Sequence, residues 1–276
     1  MDGGWMEIHT LNKASESSLI IFIMTIIISL LLLTSLLPHL TFTAHVNVGI
    51  VNGKEAKPHC RPYMVSIQAC GDHKCGGFLI SDQFVLTAAH CWNGRNILMV
   101  VVGAHDLRDS KSSDHIRVKS YIPHPKYKSN PKKYADDIML LKLEKKVNLN
   151  NKVGVIPLPK EREDVKADTA CSVAGWGRLT DGSVSNVLME AEVTIMNNTE
   201  CRNRWGAIYS VSQMICVYGD GGTCNGDSGG PLVCGNTAVG VTAFGQRGHC
   251  NSPKLPNVYT KISAYIQWIR TVVGNV

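Results

Sequence analysis

Residues 224–232 read CNGDSGGPL, and the rest of the chain is most easily understood outward from this stretch. Glycines on both sides of Ser228 free the local backbone of Cβ groups, so its N–H groups can face a ligand. Taken alone, the stretch is a Gly-rich hairpin or a nucleophile turn. A serine hydroxyl is a weak nucleophile at neutral pH. It needs a base to take its proton, and that base needs an acceptor to orient it. Two further segments offer these groups: LTAAHC at 86–91, with His90, and DDIMLLKL at 136–143, with Asp136 and Asp137. Each has a plainer reading alone, His90 as a packed histidine beside a half-cystine and the aspartates as strand-end turn residues. Alternation along a strand puts Asp136 and Asp137 on opposite faces, so only one of them can reach a given histidine.

Around these segments the text is rich in short β-like runs broken by Gly, Pro, Asn and Asp. Such runs are Tyr63–Gln68, Gly77–Ile80, Phe84–Thr87, Ile97–Val102, Ile138–Leu143, Ser172–Ala174, Ala238–Thr242 and Val258–Lys261. This pattern predicts an all-β barrel or sandwich. Helical spacing appears at the end of the chain, where Ile262, Tyr265, Ile266, Ile269, Val272 and Val273 form one apolar stripe. The polar segments Glu144–Gly154 and Pro157–Lys166 are expected to link two halves.

In the order His, Asp, Ser, these motifs resemble the chymotrypsin-like (trypsin-family) serine proteases. The resemblance starts at IVNG (50–53) and takes in TAAHC, DIMLLKL, AGWG (174–177), GDSGGPL and the Trp268–Ile269 pair. It implies two antiparallel six-stranded β-barrels with the active site between them and a C-terminal α-helix. The first barrel is expected at about 50–150, the second at about 165–261 and the helix at about 262–273. The implied activity is serine endopeptidase, with Ser228 as nucleophile, His90 as general base and then acid, and Asp137 orienting His90. Asp137 is preferred to Asp136 because the family's aspartate directly precedes the Ile of this strand. The N–H groups of Gly226 and Ser228 would form the oxyanion hole. The α-amine of Ile50, freed by cleavage, would pair with Asp227. The alternative is a weak or inactive homologue that acts by binding proteins or polyanions.

The same resemblance places the specificity pocket at Gly222, Thr223, Gly245 and Asn257. A Gly222 floor cannot select Arg or Lys. Asn257 should narrow the pocket, so cleavage is expected after medium or large uncharged residues, unless a shifted loop brings Asp220 into play. Ala243 stands where the family usually has a serine supporting the catalytic aspartate, which puts full activity in question.

Ten cysteines fit an oxidising compartment. Their spacing does not favour a zinc site, and neither a metal nor a cofactor is expected. Family pairing implies Cys75–Cys91, Cys171–Cys234, Cys201–Cys216 and Cys224–Cys250. Cys60 and Cys70 are left over. An extended run between them would separate them by roughly 30 Å, too far for a bridge. Free thiols or a disulfide-linked partner remain. Asn197-Asn198-Thr199 is a sequon for N-glycosylation.

Residues 19–37, LIIFIMTIIISLLLLTSLL, are uncharged and apolar. They read as the core of a cleaved signal over 1–44, or as a retained membrane anchor. The residues before them are acidic, which is poor signal chemistry, and a start at Met24 would leave an ordinary short signal. A short propeptide, 45–49, would follow. No Lys or Arg precedes Ile50, so activation by a dipeptidyl peptidase-like protease is expected, as at the junctions of granule proteases that Lys57–Gln68 also resembles. Secretion or storage in a granule follows. The chain carries +6; its first 49 residues hold Lys13 against Asp2, Glu7 and Glu16, which leaves +8 on the remainder. Protein or peptide substrates and acidic glycans are the expected partners; nucleic acid is not.

Overall fold

The computed structural model describes residues 22–29, 50–109, 111, 113–128, 134–179, 181–246, 248–250 and 252–274. The chain divides into two units, Met1–Val46 and Asn47–Val276. In the first, residues 22–29 form a helix, α1. No helix among the described residues is long and apolar enough to cross a membrane. The remainder of the 1–49 signal, anchor and propeptide reading lies outside the described residues.

The second unit is built of β-strands. After a two-residue strand β1 (Lys54–Glu55) come β2 (Met64–Ala69), β3 (Asp72–Leu79), β4 (Phe84–Thr87), β5 (Leu98–Val102), β6 (Asp114–Pro123) and β7 (Met139–Leu143). Strands β2 to β7 close a barrel in the order β2-β3-β4-β7-β6-β5. Then follow β8 (Ala170–Gly175), β9 (Met189–Ile195), α2 (Asn198–Trp205), β10 (Met214–Tyr218), β11 (Pro231–Cys234), β12 (Thr237–Phe244) and β13 (Asn257–Lys261). They run β8-β9-β10-β13-β12-β11, and β11 pairs back onto β8. Every pairing is antiparallel, and the two rings share one connectivity: in each, the third strand pairs with the sixth. Closure removes the unpaired edges that such short strands would otherwise expose.

The residues from Ile50 do not belong to the first barrel, where the family resemblance placed them. β1 pairs with β9, and Ile50 is buried with Met189, Val193, Leu232 and Tyr259 in the core of the second barrel. Residues 50–55 thus attach to the second barrel, and the first barrel begins at Met64. The chain end makes the reverse crossing. Helix α3 (Ile266–Val273) buries Ile266 and Ile269 in the apolar cluster of the first barrel. This helix is shorter than the stripe implied, because Ile262–Ala264 form a separate 3-10 turn before it. The linking segment touches both halves: Ile156 N–H donates to Leu79 C=O at 3.1 Å, and Ala238 N–H donates to Pro157 C=O at 3.0 Å.

Four disulfides brace the unit: Cys75–Cys91, Cys171–Cys234, Cys201–Cys216 and Cys224–Cys250. Each closes a loop whose freedom would otherwise favour the unfolded chain, a contribution of roughly 2–4 kcal/mol apiece. Cys60 and Cys70 are exposed and free.

Candidate active site

His90 lies in a 3-10 turn (Ala89–Cys91) directly after β4, and Asp137 lies just before β7, the strand paired with β4. The pairing of those strands brings the two side chains together. Asp137 Oδ2 stands 2.6 Å from His90 Nδ1, and Asp137 Oδ1 accepts the His90 backbone N–H at 2.9 Å. The Asp137 side chain is 5% exposed and that of His90 37%, so His90 is open to a ligand while Asp137 is not. Because Nδ1 donates to the carboxylate, neutral His90 leaves Nε2 as its acceptor. Burial alone would lower the His90 pKa; the hydrogen bond and charge of Asp137 outweigh it and raise the pKa above its usual value, with Lys74 opposing.

Ser228 sits in the turn before β11. Its carbonyl accepts from Gly76 N–H of β3 at 2.9 Å and lies 3.7 Å from Cys91 Sγ, next to His90. A Cβ on Gly76 would stand 3.2 Å from the Gly230 Cα, so the absence of side chains at both lets the first barrel approach the serine turn backbone to backbone. Gly226 has φ +100, which glycine adopts without strain. The Gly226–Asp227 peptide is held at both ends: the Gly226 carbonyl lies 3.0 Å from His73 Nε2, and Asp227 N–H donates to Cys224 C=O at 3.0 Å. A carbonyl can only accept, so Nε2 carries the His73 proton and Nδ1 accepts from Ser66 Oγ at 2.8 Å. Among the described residues no hydrogen bond engages the N–H groups of Gly226 and Ser228.

Asp227 is fully buried. Its Oδ1 accepts from Gly177 N–H at 2.8 Å and its Oδ2 from Cys224 N–H at 2.9 Å. Burial pushes its pKa up to about 7, against the pull of those two donors. Among the described residues no Lys, Arg or His side chain forms an ion pair with it. Ile50 is equally buried and packs in the same cluster as Tyr259, whose hydroxyl feels the Asp227 charge.

Of the four residues expected at the pocket, Gly222, Thr223 and Asn257 are buried and Gly245 is half-buried. Asn257 Nδ2 donates to Thr223 C=O at 3.0 Å, and a Cβ on Gly245 would stand 2.7 Å from that same nitrogen. The Asn257 carboxamide therefore lies between Thr223 and Gly245. Thr223 Oγ1 is 3.1 Å from the Tyr259 hydroxyl, and Gly222 bridges to Val51. Asp220 is exposed on the surface, its carbonyl accepting from Asn52 Nδ2 at 2.7 Å. Ala243 falls in a bulge between β12 and β13. Among the described residues only His90 donates to the Asp137 carboxylate. Cys75, His90 and Cys91 come close enough to resemble a metal cluster, but the two sulfurs are joined to each other and cannot act as thiolates.

Sequence pattern does not single out His73 or Ser66, because neither sits in a recognisable motif. It also passes over Thr260, whose hydroxyl donates to the Asp137 carbonyl at 3.0 Å. Only the packing of β13 beside Asp137 reveals it.

A fold of two barrels with a paired His90 and Asp137 beside the turn of Ser228 is that of a serine protease. The trypsin family model matches residues 50–269. Human (Homo sapiens) cathepsin G is 39% identical over 252 residues, covering 88% of this chain and 93% of that protein. Human granzyme B is 40% identical over 230 residues, covering 80% and 90%. The solved structure of neuropsin, a serine protease expressed in the limbic system of mouse brain, superposes with a TM-score of 0.75 at 36% identity, covering 80% of this chain and 98% of that one. The chain belongs to the trypsin family of chymotrypsin-like serine proteases, within which it groups with the granule proteases, and it is by class a serine endopeptidase.

Proposed function

We propose that the chain, once cut between Gly49 and Ile50, hydrolyses peptide bonds through an acyl-enzyme on Ser228, after medium or large uncharged residues such as Leu, Met or Phe. The observation that carries this reading is the 2.6 Å contact between His90 Nδ1 and a buried Asp137, set beside the Ser228 turn. The chemistry is the general template for such triads. Ser228 Oγ attacks the scissile carbonyl carbon while its proton passes to His90 Nε2. Asp137 stabilises the imidazolium. The negative oxygen that forms is met by the N–H groups of Gly226 and Ser228, and loss of one such donor typically costs about 3–4 kcal/mol. The C–N bond then breaks, His90 protonates the leaving amine, and water enters by the same route to free the acid.

Activation acts on Asp227. An α-amine at Ile50 would give the buried carboxylate a cation that no described residue supplies and secure the turn that it shares with Gly226. With no basic residue before Ile50, a dipeptidyl peptidase-like protease is the fitting activator, and a secretory granule the fitting compartment. The pocket reading rests on Gly222 and on the buried Asn257, with Asp220 exposed. Asn197 is exposed and caps α2 through Oδ1, which accepts from Thr199 N–H at 2.8 Å; a glycan on Nδ2 is compatible with that bond. The exposed Arg117 and Lys119 of β6 contribute to the basic surface offered to acidic glycans, and Cys60 or Cys70 offers a thiol for a disulfide-linked partner.

The test is a peptide library varied at the residue before the cut, given to the chain cleaved after Gly49. Cleavage after Leu, Met or Phe, absent in Ser228→Ala, is expected. A preference for Arg or Lys would overturn the pocket reading.

A further inference from the structure

The catalytic aspartate has a neighbour that the mechanism does not use. Asp136 is 9% exposed and has φ +59, a left-handed conformation that Asp tolerates better than most residues. Its carboxylate is tied to three separate parts of the molecule. Oδ1 accepts from Gln213 Nε2, in the segment before β10, at 2.9 Å. It accepts from the Tyr265 hydroxyl, at the start of α3, at 3.1 Å, and lies 3.5 Å from His124 Nδ1, after β6. These partners are themselves fixed. Gln213 C=O accepts from Lys261 N–H at 2.8 Å, His124 N–H donates to Ile138 C=O at 3.0 Å, and the His124 ring packs edge-on against Tyr265 and Trp268.

The backbone passes this anchoring on. Ile138 N–H donates to Asp136 C=O at 2.8 Å, closing a three-residue turn centred on Asp137. Thr260 Oγ1 holds the Asp137 carbonyl. The Asp137 carboxylate, by contrast, is held among the described residues only by His90, the group it must orient. With Ala243 supplying no hydroxyl, the aim of Asp137 depends on where its backbone stands.

We propose that Asp136 is a positioning residue for the reaction, clamping the backbone turn of Asp137 through Gln213 and Tyr265. The inference rests on the peptidase reading above. Asp136 touches neither substrate nor His90; it acts through Asp137.

The test uses the full chain cleaved after Gly49, with Asp136→Ala, Asp136→Asn and Tyr265→Phe. For each, kcat and KM are measured per active site, counted with a serine-reactive phosphonate, beside the thermal midpoint. Asp136→Ala is expected to lower kcat about tenfold to a hundredfold with KM little changed, because small displacements of a catalytic group act on the chemical step. Asp136→Asn, which keeps the acceptor oxygen and tolerates the same backbone, should recover most of the loss. Tyr265→Phe, which removes one oxygen, should fall between. If Asp136→Ala does not fold, Tyr265→Phe carries the test, and a kcat equal to the parent's overturns the proposal. So does a lowered midpoint with kcat per active site intact, a loss confined to KM, or no recovery in Asp136→Asn. A parent that cleaves no peptide overturns the peptidase reading and this one with it. With an active parent, the peptidase reading stands and only the role of Asp136 is at stake.

Discussion

The Asp227 carboxylate lies between two backbone N–H groups, those of Gly177 and Cys224, and has no side-chain cation beside it among the described residues. In the uncut chain this is an acid whose ionisation works against folding. Its pKa is about 7 when folded, against an ordinary 3.8. A folded pKa above the unfolded one gives stability that is complete below the unfolded value and lost as pH rises through the folded value. The loss amounts to about 4 kcal/mol over that span. The uncut chain should therefore show a thermal midpoint that rises as pH is lowered from about 7 to about 5, relative to Asp227→Asn. The cut chain, with an amine at Ile50, should lose this dependence. Parallel pH profiles for the uncut chain and Asp227→Asn would count against the account.

Activation should depend on the same pair. Asp227→Ala in the cut chain is expected to have little activity, as is the uncut parent, because the Ile50–Asp227 ion pair that would secure the turn of Gly226 and Ser228 is then missing. Initial rates on one peptide decide this, and full activity without cleavage would refute it.

Ala243 leaves Asp137 with one donor fewer than the family pattern provides. Ala243→Ser should raise kcat by roughly tenfold, the low end of the range set by a hydrogen bond to a charged acceptor. An unchanged kcat would mean that water already fills the role.

Asn257 spans the space between Thr223 and Gly245. Asn257→Gly should enlarge the pocket and shift preference toward Phe, Tyr and Trp by about tenfold, the scale set by filling or leaving a small volume in an apolar site. Competition between Leu and Phe peptides measures it; an unaltered ratio would place the specificity elsewhere.

Much of this architecture is readable from local pattern. Phe84–Thr87 is bounded correctly because all four of its residues are buried and a turn precedes it. The charged strand Asp114–Pro123 is not among the runs that pattern singles out, since its outward face carries His115, Arg117 and Lys119 and only Ile116 and Val118 are buried. Helix α2 escapes because NTECRNRW buries only Cys201 and has no apolar stripe; its signals are the Asn197 cap and the Glu200–Arg204 pair, which periodicity does not weigh. The crossing of residues 50–55 to the second barrel is a long-range pairing with Met189 and Glu190 that local sequence does not encode. At the site, the motifs name His90, Asp137 and Ser228, but the supports around them come from distant segments. Gln213, Thr260 and Tyr265 reach Asp136 and Asp137 from 77 to 129 residues away in sequence.

The central claim, that Ser228 is a nucleophile activated by His90 and Asp137, is tested most directly by labelling the chain cleaved after Gly49 with a serine-reactive phosphonate. The account predicts one label per chain, located on Ser228, absent in Ser228→Ala and greatly slowed in His90→Ala. A correctly cleaved, folded chain that takes up no label would contradict it, and would favour a homologue that acts by binding.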